Sequence, residues 1–109
     1  MISASLGRSG VRLAVAAALS LYLGTAHAEE SKVTIDNFTF SPAEVKVKVG
    51  DTVTWTNHDD IPHTVVSAGK FRSKAMDTDG TFSFTFTTAG EYKYFCSLHP
   101  HMTGAITVE

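Results

Sequence analysis

The sequence predicts an all-β domain, a sandwich or barrel of about seven to eight short strands. Val45, Val47 and Val49 alternate with charged residues, and the phenylalanines of Thr81–Thr87 alternate with small polar ones. A period of two is typical of strands with one buried face. Glycine, proline and aspartate punctuate these runs at short intervals, and no stretch shows helical periodicity over a useful length.

The first 28 residues predict a secretory signal peptide. Arg8 and Arg12 give a positive start, an apolar run extends from Leu13 to Leu23, and Ala26-His27-Ala28 has the small-x-small pattern of a cleavage site. The run is shorter than the roughly 20 residues that span a bilayer, and the two arginines are not adjacent, which argues against a twin-arginine signal. We therefore expect cleavage after Ala28 and export of an unfolded chain to the periplasm.

Residues 29–109 are enough for one small domain. Without Arg8 and Arg12 the chain keeps 7 basic and 11 acidic residues, a formal charge of −4, so nucleic acid is an unfavourable partner. With a single cysteine the domain forms no internal disulfide, and the thiol is available for another role. We expect a soluble monomer without stable membrane insertion.

The first half of the domain predicts antiparallel strands. Residues 31–40 predict the first strand, which Ser41-Pro42 ends. Residues 45–49 and 52–57 predict two consecutive strands, and Gly50-Asp51 between them favours a hairpin turn.

The second half predicts a loop followed by further strands. Residues 57–64 break the alternation and predict a loop that leads into a short strand at His63–Val66, and residues 67–80 predict an irregular surface connection. Three further strands are predicted at Thr81–Thr87, Glu91–Cys96 and Gly104–Glu109. Cys96 shares a face with the two tyrosines of its strand, so its thiol is expected to point inward.

The run Cys96-Ser97-Leu98-His99-Pro100-His101-Met102 predicts a metal site, since it holds the only cysteine, two of five histidines and one of three methionines. Cys96, His99 and Met102 follow one another at intervals of three, so they can line one side of a tight turn. His63, at the start of a strand, is the best candidate for a fourth ligand. Two imidazoles, a thiolate and a weak axial thioether form the set used for one-electron copper transfer.

Each of these residues has an ordinary structural explanation when it is taken alone. A lone buried cysteine is most often a small hydrophobe, and a methionine near a strand most often belongs to the core. Packing gives no reason for three such ligands within seven residues. Zinc sites rarely include methionine, and a cysteine–histidine hydrolase needs an attack geometry that spacing within one turn does not favour.

His101 is the competing histidine of the loop. If His101 bound the metal in place of His99, its neighbour Met102 would have to turn back onto the same ion, which adjacent side chains do poorly. We therefore place His101 on the rim. Four other residues are expected to lie in solvent or in packing: His58, Asp59, Asp60 and Met76.

The chain resembles the cupredoxins, the small blue copper proteins, in the pattern Cys96-x-x-His99-x-x-Met102 downstream of Asn57 and His63. Two residues separate the histidine from the methionine, as in amicyanins, whereas plastocyanins and pseudoazurins have four. Further motifs extend the resemblance over the whole of residues 29–109: Val47–Val53, Trp55-Thr56-Asn57, Pro62-His63, Gly90-Glu91-Tyr92 and Gly104.

The resemblance implies a Greek-key β-sandwich with one type 1 copper ion, bound by His63, Cys96, His99 and Met102. It also implies that the edge of His99 is the electron port. Asn57 would tie the two ligand loops together and help to hold the thiolate from the second shell of the metal.

We predict a soluble exported carrier that moves single electrons between redox proteins through Cu(II) and Cu(I), with a dehydrogenase or a c-type cytochrome as candidate partners. Leu98 and His101 stand where amicyanins usually carry proline and phenylalanine, so the docking face gains a titratable group. The alternative is a periplasmic protein that stores or delivers copper, with His58 and His101 as entry ligands. An enzyme is not expected, because the sequence has no second histidine cluster for a catalytic copper.

Overall fold

A computed structural model of the protein describes residues 28–109, which form two β-sheets packed face to face. The predicted signal peptide, apart from Ala28, lies outside these residues. Residues 28–109 contain no helix, and therefore none that is long and apolar enough to cross a membrane.

The described part of the chain has nine strands in two sheets. In chain order they are β1 (Glu30–Asp36), β2 (Thr39–Ser41), β3 (Glu44–Val47), β4 (Thr52–Asn57), β5 (Val66–Ser67), β6 (Phe71–Arg72), β7 (Thr81–Thr85), β8 (Gly90–Phe95) and β9 (Thr103–Val108). One sheet has the order β2-β1-β4-β7, and the other has the order β3-β9-β8-β5-β6.

The core lies between the two sheets and is built from inward residues of both. Trp55 of β4 is fully buried, and its ring centroid lies 5.4 Å from that of Tyr94 in β8 and 5.8 Å from that of Phe71 in β6. Burying a side chain of this kind stabilises the fold by roughly 1.5–3 kcal/mol. The predicted all-β sandwich is confirmed, with nine strands in place of seven or eight.

The predicted antiparallel hairpin of residues 45–49 and 52–57 is wrong. β3 pairs with β9 and β4 pairs with β1, both in parallel, so these consecutive strands lie in opposite sheets. Asp51 holds the crossover, because its carboxylate accepts hydrogen bonds from the backbone N–H groups of Glu29 (3.0 Å) and Lys48 (2.9 Å). These bonds lower the pKa of the Asp51 carboxyl group. Alternation decides which face of a strand is buried, but not which strand is its partner.

The strand predicted over residues 31–40 is two strands. β1 and β2 pair in antiparallel fashion, and the turn residues between them, Asn37 and Phe38, have φ angles of 52° and 59°. Two-residue turns of this kind usually carry glycine at the second position. Because phenylalanine occupies this position, the sequence did not indicate a turn here.

The region around His63 also differs from the prediction. β5 begins three residues later than expected, and His63 itself makes an isolated antiparallel bridge with Met76. The connection predicted to be irregular, residues 67–80, contains the short edge strand β6. The last three predicted strands are confirmed as β7, β8 and β9, with their ends within two residues of the prediction.

Gly104 is required by the packing of β8 on β9. Tyr94 pairs with Gly104 in the register of these strands, and the tyrosine ring lies over the glycine so closely that a Cβ atom there would overlap the ring and its hydroxyl oxygen. Tyr94 is buried, and its hydroxyl group has no hydrogen-bond partner among the described residues. Because the Tyr94 side chain is buried, its ring has little freedom to move away from residue 104.

Changing Gly104 to alanine is therefore expected to destabilise the metal-free protein by about 1–3 kcal/mol, the usual effect of overpacking a core. Urea denaturation would measure the loss. The double variant Tyr94→Phe, Gly104→Ala should recover part of it, because the hydroxyl oxygen is one of the overlapping atoms. Wild-type stability in the single variant would contradict the packing described.

Candidate metal centre

His63 is placed by a backbone bridge in front of β5. Its N–H donates to the Met76 carbonyl (3.2 Å), and the Met76 N–H donates back to the His63 carbonyl (2.8 Å). The imidazole is fully buried. Met76 was expected in packing or at the surface; it is buried, and its backbone supports the histidine.

The loop from Cys96 to Met102 is closed by three of its own backbone hydrogen bonds. The Cys96 carbonyl accepts from the His99 N–H (3.2 Å), the His99 carbonyl accepts from the Met102 N–H (2.9 Å), and the Cys96 N–H donates to the Met102 carbonyl (3.1 Å). The same hydrogen bond, from residue i+3 to residue i, thus occurs twice in succession. It places Cys96, His99 and Met102 at equal intervals along the loop. Cys96 and Met102 are buried, and His99 is half-buried.

Three side chains converge on one point. The Sγ atom of Cys96 lies 3.7 Å from Nδ1 of His63 and 3.7 Å from Nδ1 of His99, and all three atoms lie within 4.8 Å of one another. Metal–sulfur and metal–nitrogen bonds of about 2.3 and 2.0 Å would separate such donors by roughly 3.5–3.8 Å at tetrahedral or trigonal angles. The donor set therefore fits a single ion.

The environment of Cys96 favours the thiolate, which is the form that binds metals. Burial raises the pKa of the thiol, but the backbone N–H of Thr64 (3.4 Å), the imidazoles of His63 and His99, and the Thr64 hydroxyl together lower it to about 6. At neutral pH Cys96 of the metal-free protein is therefore mainly a thiolate. That charge favours a cation between the two imidazoles.

Thr64, not Asn57, links the two ligand loops. The Thr64 hydroxyl accepts a hydrogen bond from the Ser97 N–H (2.7 Å) and lies 2.8 Å from the Ser97 hydroxyl. Ser97 directly follows Cys96, and Thr64 directly follows His63, so this contact joins the neighbours of two proposed ligands. The link that the cupredoxin resemblance implied for Asn57 is thus made by Thr64.

Asn57 supports only the His63 side of the site. Its fully buried side chain donates to the carbonyls of Ile61 and Met76, both at 2.9 Å, and accepts from the Asp59 N–H (2.9 Å). The residue therefore shapes the loop that leads to His63 and holds Met76, the bridge partner of His63, in place.

Asp59 was expected to be solvated, but it contacts His63 at the site. Its carboxylate accepts from Nε2 of His63 at 2.8 Å, and its side chain is only 11% exposed. Burial raises the pKa of this carboxyl group, but hydrogen bonds from the N–H groups of Phe38 and Asn37 and from His63 outweigh that effect and lower it. The bond to Asp59 keeps a proton on Nε2 and turns Nδ1 toward Cys96, so Nδ1 is the nitrogen that would bind a metal ion when the ion displaces the Nδ1 proton. The interval of four residues between Asp59 and His63 is the feature of the sequence that could have indicated this contact.

The other two histidines among residues 28–109 do not join the donor group. His58 and His101 are exposed, as expected. Phe38, which carried no predicted role, packs edge-on against both ligand-type imidazoles, with ring centroids 5.3 Å from His63 and 5.0 Å from His99.

Residues 11–108 match the family model described as a cupredoxin-like domain. The amicyanin of Paracoccus versutus is 39% identical over 83 residues, an alignment that covers 71% of this chain and 63% of that protein. The amicyanin-alpha of Methylorubrum extorquens is 33% identical over 113 residues, 98% of this chain and 95% of that protein.

A solved structure shares the fold. A mutant of amicyanin with Cu(I) superimposes with a TM-score of 0.71 at 36% identity, over 73% of this chain and 82% of that one. The likeness spans most of the described β-sandwich.

Changing Thr64 to valine is expected to raise the pKa of the Cys96 thiol in the metal-free protein above about 6, since the thiolate loses the hydroxyl at 3.8 Å and the Ser97 N–H loses its acceptor. The pH dependence of the ultraviolet thiolate absorbance measures this pKa. Because the folded pKa is depressed, the stabilisation by the thiolate is present above the unfolded pKa of about 8.5 and is lost as pH falls through about 6.

Thr64→Ser keeps the hydroxyl and is the matched control, with the wild-type pKa expected. An unchanged pKa in Thr64→Val would contradict the role given to this residue.

Proposed function

The chain belongs to the cupredoxin-like domain family, and on that basis we propose that it is a blue copper electron carrier, not an enzyme. The observation that carries the proposal is the convergence of Cys96 Sγ with Nδ1 of His63 and Nδ1 of His99, at 3.7 Å each. A thiolate with two imidazoles suits copper among the transition metals. Copper supplies the one-electron Cu(II)/Cu(I) couple when it is bound.

The proposed ligands are His63, Cys96, His99 and Met102. Met102 is buried on the same closed loop, and its thioether would be the weak axial ligand. Asn57 is proposed to act one shell further out, through the carbonyls that it holds on the His63 side.

The protein's part in electron transfer would be to keep this donor set still. Hydrogen bonds to Met76 and Asp59 hold His63 at its backbone and at its ring, and the turn bonds of residues 96–102 hold the other donors. A frame with little freedom to rearrange favours rapid exchange of one electron. Full burial of Cys96 and His63 also favours retention of the ion over its delivery to another protein.

We propose protein redox partners that dock around His99, with a dehydrogenase or a c-type cytochrome as candidates. Phe38 packs against His99 and Leu98 precedes it in the chain, and the two side chains are 47% and 53% exposed, so apolar surface is available next to the half-buried imidazole. Apolar contact of this kind suits a short-lived encounter.

Export to the periplasm after cleavage behind Ala28 is part of the proposal, as is a soluble monomer. Cleavage there would convert the Glu29 nitrogen into an ammonium group. That nitrogen lies 3.0 Å from the Asp51 carboxylate, so the cleaved chain would gain a charged pair where β1 meets the crossover.

The substitution Cys96→Ser tests the function directly. Purified metal-free wild type is expected to turn intensely blue when Cu(II) is added, and the serine variant is expected to stay pale, because the colour depends on the copper–thiolate bond. A visible spectrum recorded during copper titration measures this. His101→Ala, at an exposed position on the rim, serves as control and should remain blue. A blue serine variant, or a colourless wild type, would overturn the proposal.

The substitution Asp59→Asn is expected to weaken copper binding about 10- to 100-fold, the usual effect of removing the hydrogen-bond partner of a ligand histidine. Competition with a chelator of known affinity measures the change. Asp60→Asn removes the exposed neighbouring carboxylate and is the matched control. Equal affinities in the two variants would show that the Asp59–His63 bond does not support the site.

A further inference from the structure

Phe38 lies against the two imidazoles of the metal centre from the solvent side. Its ring is edge-on to His63 and to His99, with interplanar angles of 85° and 90°. The two histidine rings are 4.9 Å apart, so the three rings form a nearly equilateral triangle. Because Phe38 is 47% exposed while His63 is fully buried, the phenyl ring stands between the His63 imidazole and water and packs against the half-buried His99.

The backbone at Phe38 is one that a phenylalanine rarely adopts. Its φ is 59°, and that of Asn37 is 52°, the combination for which asparagine followed by glycine is favoured in a two-residue hairpin turn. A bulky side chain in this region is strained. Because the ring is half-exposed, its burial contributes little free energy to offset that strain. The stability of the hairpin therefore does not explain why phenylalanine occupies this position.

Asp59 ties this turn to the metal centre. Its two carboxylate oxygens accept the N–H groups of Asn37 (2.7 Å) and Phe38 (2.9 Å), and the oxygen that serves Phe38 also accepts Nε2 of His63 (2.8 Å). One carboxylate therefore fixes both the covering residue and an imidazole that it covers. A shift of the turn would disturb the ring of His63 through the same atom.

We propose that Phe38 is a positioning residue that covers the metal centre: its ring holds the orientations of both imidazoles, limits access to the Cys96 thiol and slows loss of the bound metal. Metal retention rests on the proposed copper function, whereas protection of the thiol applies to the metal-free protein. The strained turn is the structural consequence of placing an aromatic ring at this point.

The substitution Phe38→Gly tests whether Phe38 covers the metal centre or stabilises the fold. Glycine removes the ring and relieves the positive φ, so the stability of the metal-free protein in urea should be unchanged or higher. Two rates should rise, each roughly tenfold or more, as expected for losing two edge-to-face contacts. One is modification of the Cys96 thiol by a chromogenic disulfide reagent in the metal-free protein, and the other is copper transfer to an excess of chelator.

Leu98→Ala is the matched control. Leu98 is about as exposed as Phe38 and lies in the ligand loop, but its side chain is aliphatic. Both rates should stay within about twofold of wild type, as for an ordinary surface position. Phe38→Leu keeps an apolar side chain and the strained turn, and should give intermediate rates.

Wild-type rates in Phe38→Gly, or equal acceleration in Leu98→Ala, would overturn the proposal. Loss of stability in Phe38→Gly would also overturn it, because the residue would then serve the fold. A wild type that binds no copper would overturn the proposed function and the retention role, while the thiol measurement would still decide whether Phe38 covers the site.

Discussion

The structure depends on holding one sulfur atom between two imidazoles that come from distant parts of the chain. Cys96 and His63 are 33 residues apart, yet Sγ lies 3.7 Å from Nδ1. His63 follows β4 of one sheet and precedes β5 of the other, whereas Cys96 directly follows β8. Only a rigid sandwich can keep these two positions in register. The aromatic core around Trp55 joins β4 of one sheet to β6 and β8 of the other and so contributes to that rigidity.

Around this contact the polar groups form two supports. Thr64 and Ser97 join the two ligand segments to each other, and Thr64 directs its backbone N–H and its hydroxyl at the sulfur of Cys96, so Thr64 acts on the charge of the site. Asp59 and Asn57 act on the His63 side, where they fix the ring tautomer and the loop before it. The two supports meet at His63, because the imidazole that Asp59 orients is also one of the groups that lower the pKa of the Cys96 thiol.

A buried donor set behind an aromatic cover is better suited to keeping a metal than to passing it on. Small structural change between oxidation states lowers the barrier to electron exchange, and the hydrogen bonds of residues 96–102 oppose such change at three of the four proposed ligands. The half-buried His99 is the proposed ligand nearest to solvent. This arrangement favours electron transfer through the edge of an imidazole while the ion stays in place, which agrees with membership in the cupredoxin-like family.

By itself the sequence determined the fold class, the buried face of most strands and the spacing of the ligand loop, because alternation and short intervals are local properties of the chain. Tertiary structure alone decided that β3 and β4 lie in opposite sheets, since pairing depends on partners such as β9 that are remote in sequence. It also decided the roles of Thr64, Asp59 and Phe38. Their contacts reach Ser97, the turn at Asn37 and both imidazoles, across gaps that no periodicity records. The physical reason is that a hydrogen bond or ring contact needs two groups close in space, and only the folded sandwich brings these together.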